Sequence, residues 1–93
     1  MLVALLSVAL HLPEARSLKD KRMVLRSVKD RMKKFNVAVA EVEHQDLWQR
    51  AELGIVTVAT SAELVDRTFA SVVEEIERAA PGMLTQTDVE YLT

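Results

Sequence analysis

The segment Leu2 to Leu12 is apolar at almost every position. Leu2, Ala4, Leu6, Val8 and Leu10 fall on one face of an extended chain, and Val3, Leu5 and Ala9 on the other, interrupted by Ser7. Successive strand residues point to opposite faces, so both faces of this segment want cover and it belongs in the middle of a sheet. Pro13 lacks a backbone donor and ends the strand. Ser17 followed by Asp20 is the pattern of a helix N-cap with an acid in the first turn. Leu18, Leu25, Val28, Met32 and Phe35 then recur at helical spacing, and Asn36 turns the chain out. Phe35 to Glu43 alternates as a second strand, with Val37, Val39, Glu41 and Glu43 on one side and Ala38, Ala40 and Val42 on the other.

The segment from His44 to Leu53 is polar and without strand character. Beyond Gly54, the β-branched run Ile55 to Thr60 predicts a third strand. Ser61 with Glu63 opens a second helix, whose apolar stripe is Leu64, Val65, Phe69, Val72, Val73, Ile76 and Ala80, and Pro81-Gly82 stops it. Met83 to Leu92 is the last strand, with Thr85, Thr87, Val89 and Tyr91 on one face and Gln86, Asp88 and Glu90 on a wetter one. The order β-α-β-β-α-β predicts an α+β, ferredoxin-like domain over residues 1–93, an antiparallel four-stranded sheet with two helices on one face. The other sheet face stays open, yet the first strand is apolar on both sides. A homodimer closing through sheet faces or edges is therefore expected.

Composition narrows this further. Ninety-three residues make one domain, about half of it apolar. A chain this short buries only about 60–65% of its unfolded surface, so further burial by association would help it. The apolar opening run has no basic residues ahead of it and is too short to span a bilayer, which argues for a buried strand over a leader or anchor. The absence of cysteine removes disulfides and thiol chemistry and suits a cytoplasmic protein.

The net charge of −2 conceals an asymmetry. Residues 14 to 34 hold nine Lys/Arg against Glu14, Asp20 and Asp30; residues 35 to 93 hold Arg50, Arg67 and Arg78 against eleven acids. The two parts carry +6 and −8, so a partner would meet a field that the total understates. At about 100° per residue, Lys19, Arg22, Arg26, Lys29 and Lys33 share one acid-free sector of the first helix roughly 80° wide and roughly 20 Å long. Such a stripe suits the phosphates of RNA, bound through counterion release without reading sequence. A solvated face that keeps the protein soluble is the plainer alternative. Lys21 falls instead in the apolar sector, where it either snorkels past the sheet or pairs with a carboxylate.

His44, Asp46, Trp48, Gln49 and Arg50 concentrate several chemistries around the only tryptophan. They read either as a recognition segment, Trp48 serving as anchor or stacking platform, or as structure, with Trp48 folded onto the sheet or a dimer mate and Asp46 capping a helical turn. Glu41, Glu43, His44 and Asp46 are potential metal ligands, but their spacing is not that of a zinc or calcium site, and no metal or other cofactor is expected. No nucleophile elbow or glycine-rich phosphate loop occurs, and His11 at a strand end reads as a satisfied structural histidine, so the chain reads as non-catalytic. RNA-recognition motifs stack bases on aromatics of the first and third strands. Those strands here hold no aromatic, so RNA contact is expected from the basic helix or from a loop. No membrane association and no sequence-specific DNA binding is expected. The competing function is a protein-interaction or scaffold module acting through His44 to Arg50.

Two blocks, Ser17-Leu-Lys-Asp-Lys-Arg22 and Phe35-Asn-Val-Ala-Val-Ala-Glu-Val-Glu-His-Gln-Asp-Leu-Trp-Gln-Arg-Ala51, resemble the YlxP-like family of short bacterial proteins. The likeness runs nearly end to end, the rest matching in pattern. It implies a ferredoxin-like fold and a cytoplasmic bacterial protein, and no particular chemistry. The family's genes often lie near those for translation initiation and ribosome maturation factors, which implies a role linked to RNA or the ribosome.

Overall fold

Six elements follow one another in the computed structural model, which describes residues 1–93. They are β1 (Leu2–His11), α1 (Leu18–Met32), β2 (Ala38–Glu43), β3 (Arg50–Ala59), α2 (Ala62–Ala79) and β4 (Leu84–Tyr91). The sheet order is β2-β3-β1-β4, with every neighbouring pair antiparallel. This is the ferredoxin-like arrangement expected from the pattern. The strand that is apolar on both faces, β1, is central.

The helix-facing residues of β1, Ala4, Leu6, Val8 and Leu10, are buried with Ala51, Leu53 and Ile55 of β3. Leu25, Val28 and Met32 of α1 and Val65, Phe69, Val72 and Ile76 of α2 complete the core. Each buried Val, Leu, Ile, Met or Phe side chain contributes about 1.5–3 kcal/mol. Both helices start at serine caps: Ser17 Oγ accepts from Asp20 N at 3.1 Å, and Ser61 Oγ accepts from Leu64 N at 3.3 Å. Asp20 in turn accepts from Arg16 N at 3.0 Å. After α2, Gly82 adopts φ +74°, a left-handed turn residue that only glycine takes without cost.

Two strand starts and two finer features differ from the sequence pattern. β3 begins at Arg50 rather than Ile55, because Ala51 and Leu53 point into the core and residues 50–53 pair with Val8–His11 of β1. β2 begins at Ala38 rather than Phe35, because Phe35 N donates to Met32 O and Val37 N to Phe35 O, a turn in place of strand pairing. A register shift between Glu41 and Glu43 sets Glu43 opposite Glu52 and breaks the expected alternation. Within α2, Leu64 of the expected apolar stripe stays 40% exposed.

The open sheet face carries Val3 and Leu5 of β1, Val56 and Val58 of β3, and Ala38, Ala40 and Val42 of β2. It keeps the apolar character on which the dimer expectation rests. Gly54 lies beneath Val42 and Leu5, whose carbons stand 3.2 and 3.6 Å from the position of a Cβ there. Toward β4 the face turns polar, with Ser7, Glu52, Gln86 and Asp88 together. No helix of the chain is long and apolar enough to cross a membrane.

Candidate functional site

The buried sector of α1, Lys21, Leu25, Val28 and Met32, faces the sheet. At about 100° per residue, Arg31 stands roughly 90° from the middle of that sector on one side, and the stripe is centred roughly 110° away on the other. Arg31 meets Glu75 of α2, so the stripe lies on the flank turned away from α2, above edge strand β2.

The two flanks differ in pairing. Of the twelve Lys and Arg residues, Lys21, Arg31, Lys33, Lys34, Arg67 and Arg78 have a carboxylate within 4.0 Å. Arg16, Lys19, Arg22, Arg26, Lys29 and Arg50 have none. Four of those six belong to the expected five-residue stripe, Arg16 precedes the helix, and Arg50 opens β3. Lys19, Arg22 and Arg26 are exposed and Lys29 is half-buried. Lys33, expected in the same acid-free sector, meets Asp30 at 3.3 Å, because Asp30 reaches it from just outside the sector. That pair is exposed and worth about 0.3–0.5 kcal/mol, so an anion exchanges for it readily.

On the α2 side the cations are paired. Glu75 Oε1 lies 2.9 Å from Lys34 and 3.1 Å from Arg31, and its Oε2 lies 3.1 Å from Arg78. The Glu75 side chain is only 5% exposed. The hydrogen bond from Lys34 holds its carboxyl below the ordinary 4.5 against the opposing push of desolvation, with Arg31 and Arg78 adding to the effect.

Lys21 takes the pairing alternative and does more. Its Nζ, on a side chain 2% exposed, lies 2.7 Å from Glu41 Oε2, a contact not aligned as a hydrogen bond. It donates to His44 O at 2.5 Å and Leu47 O at 2.8 Å. His44 adopts φ +63°, the left-handed region, and Leu47 N closes the turn onto His44 O at 3.1 Å. One buried ammonium thus ties the β2–β3 loop to the first turns of α1.

The loop's expected site residues separate into two kinds. Gln49 is structural: its Nε2 donates to Pro13 O and Ala15 O, both at 3.2 Å, and its carbonyl accepts from Leu12 N at 2.9 Å. His44 is half-buried in the turn. Asp46 caps no helical turn, since residues 44–47 form a tight turn instead. Trp48 is not part of the core and stays 52% exposed. It lines a shallow concavity of about 430 Å³ with Asp46, Leu47, Gln49, Arg50 and His11. His11, read from sequence as a satisfied structural histidine, is exposed there opposite Arg50 in the ladder. No three of the His, Asp and Glu side chains converge as metal ligands, and Glu41 is already held by Lys21.

Comparison with known proteins places this geometry. A family model described as "Protein of unknown function (DUF503)" matches residues 3–89. "Uncharacterized protein YlxP" of Bacillus subtilis (strain 168) is 38% identical over 79 residues, 84% of this chain and 86% of that protein. Among solved structures, a de novo designed protein with ferredoxin fold superposes with a TM-score of 0.57 at 18% identity, covering 100% of this chain and 87% of that one. SnoaB, a cofactor-independent oxygenase from Streptomyces nogalater, superposes with a TM-score of 0.58 at 10% identity, covering 99% and 91%. At such identities the structural likeness speaks for the fold alone. The family match spans nearly the whole chain, and the chain belongs to the DUF503 family.

Proposed function

We propose that this chain is a non-catalytic RNA-binding protein, associated with RNA or the ribosome, that holds phosphates on the flank of α1 turned away from α2. One observation carries the reading: Lys19, Arg22, Arg26 and Lys29 have no carboxylate within 4.0 Å, while Arg31 and Lys34 on the opposite flank are both paired with Glu75. An unpaired cation row has counterions to release, which a polyanion converts into affinity. Neighbouring members stand about 5–6 Å apart along the helix, a step an extended phosphate backbone can follow. β1 and β3 hold no Phe, Tyr or Trp on which bases could stack, which favours the helix as the phosphate contact.

Titration of a labelled single-stranded RNA tests this. Four phosphate contacts give a log–log salt slope of about −3, so affinity falls about fiftyfold between about 50 and about 200 mM salt. Arg22→Glu, Arg26→Glu and Lys29→Glu together abolish binding. An affinity indifferent to both salt and charge reversal overturns the reading.

A further inference from the structure

We infer that the concavity of His11, Trp48 and Arg50 is a base-stacking site, taking one unpaired nucleobase of a single-stranded RNA whose phosphates run along α1; this rests on the function proposed above. Trp48 is the only tryptophan and is left half in solvent. Burying an indole is among the larger hydrophobic gains open to a small protein, and this loop holds it outward instead. Leu47 beside it is 41% exposed.

The loop that presents Trp48 is anchored on both sides. Leu47 O is held by Lys21 Nζ at 2.8 Å, and Gln49 O by Leu12 N at 2.9 Å. Gln49 Nε2 fixes the β1–α1 turn through Pro13 O and Ala15 O. The indole therefore stands on a backbone already ordered, which lowers the entropic cost of stacking a ligand on it. The same anchor joins loop to stripe. Lys21 sits between Lys19 and Arg22 in the chain, so their Cα atoms lie within about 3 Å of its own along the helix axis, while their side chains leave the helix roughly 160° and roughly 100° round from it.

The charges around the indole also select the ligand. Arg50 has no carboxylate within 4.0 Å and lines the concavity with His11; Asp46 is the one acid there. An indole face beside a free guanidinium suits a base and its phosphate. A base-paired duplex keeps its bases in the stack, so this site discriminates for single strands.

Because Trp48 is the sole tryptophan, its emission reports on this site alone. Oligoadenylate is titrated with two readouts, anisotropy of the labelled RNA and Trp48 emission, and the same oligonucleotide annealed to oligouridylate serves as the duplex. The single strand quenches Trp48 with the midpoint seen by anisotropy, and the duplex binds without quenching. Trp48→Ala weakens single-strand binding about tenfold and leaves duplex binding unchanged, while Trp48→Phe keeps most of the affinity. RNA bound by anisotropy with unchanged emission, and bound equally by Trp48→Ala, overturns the stacking site and leaves the phosphate-binding flank standing. No binding by anisotropy overturns both. Quenching that follows protein concentration without RNA assigns the concavity to a second copy of the chain, and equal quenching by polyglutamate assigns it to an acidic protein partner. Either result overturns the proposal.

Discussion

The two flanks of α1 are made from the same residue types and differ in what stands opposite them. On the α2 side, Arg31 and Lys34 converge with Arg78 on a single buried carboxylate, Glu75. On the β2 side, Lys19, Arg22, Arg26 and Lys29 meet no acid, although the rest of the chain is strongly acidic. The acids of β2 do not reach the row: Glu41 turns inward to Lys21, and Glu43 pairs in register with Glu52. A helix's formal charge is thus a poor guide to the charge it offers a ligand. What counts is the part left over after tertiary pairing.

The largest expected effect comes from Lys21, which belongs to neither flank and supports one of them. Lys21→Met leaves Glu41 without its cation and the Leu47 carbonyl without a donor, His44 O keeping Leu47 N, and is expected to cost about 3 kcal/mol in urea denaturation. The double variant Lys21→Met, Glu41→Leu recovers a large part of that loss. A double variant no more stable than the single one places the cost in the lost loop hydrogen bonds, the Leu47 carbonyl above all, rather than in the ion pair.

Acid titration sharpens the contrast from the other flank. The Glu75 carboxyl is held below 4.5 in the fold, so the unfolded chain takes up its proton first as pH falls. The stabilisation is complete above the ordinary carboxylate value and is lost as pH drops through the folded one. Glu75→Gln is expected to flatten the fall of Tm between about pH 5 and about pH 3. An unchanged acid limb removes Glu75 as its cause.

Smaller effects divide the flanks in binding. Arg26→Ala is expected to reduce the salt slope for RNA by about 0.7, one phosphate's worth. Glu75→Gln releases Arg31 and Lys34 from their partner yet is expected to change RNA affinity less than about twofold, since those cations face away from the row. A large gain in affinity would break the comparison, because it would mean that both flanks contact the RNA.

Much of the architecture was legible from local pattern. The two-sided apolarity of β1 implied a central strand, Ser17 and Ser61 marked helix starts, and the cationic row followed from angular spacing alone. The segment from His44 to Leu53 was harder because its polar character hid two different structures. Ala51 and Leu53 are strand residues that only pairing with β1 makes visible, and Gln49 is polar because two distant carbonyls need a donor. His11 and Arg50 come together through the same ladder, across nearly forty residues of chain.

By itself, the sequence determined the order of elements, the buried face of each helix and the placement of charge around α1, because these depend on periodicities of 2 and 3.6 residues within single segments. Which of those charges remain free was decided only in the tertiary structure. Ion pairs form between residues far apart in the chain, such as Lys21 with Glu41 and Lys34 with Glu75. Their distances are set by how α1 seats against β2 and α2. The folded packing therefore turns a helix with many cations into one paired flank and one open row.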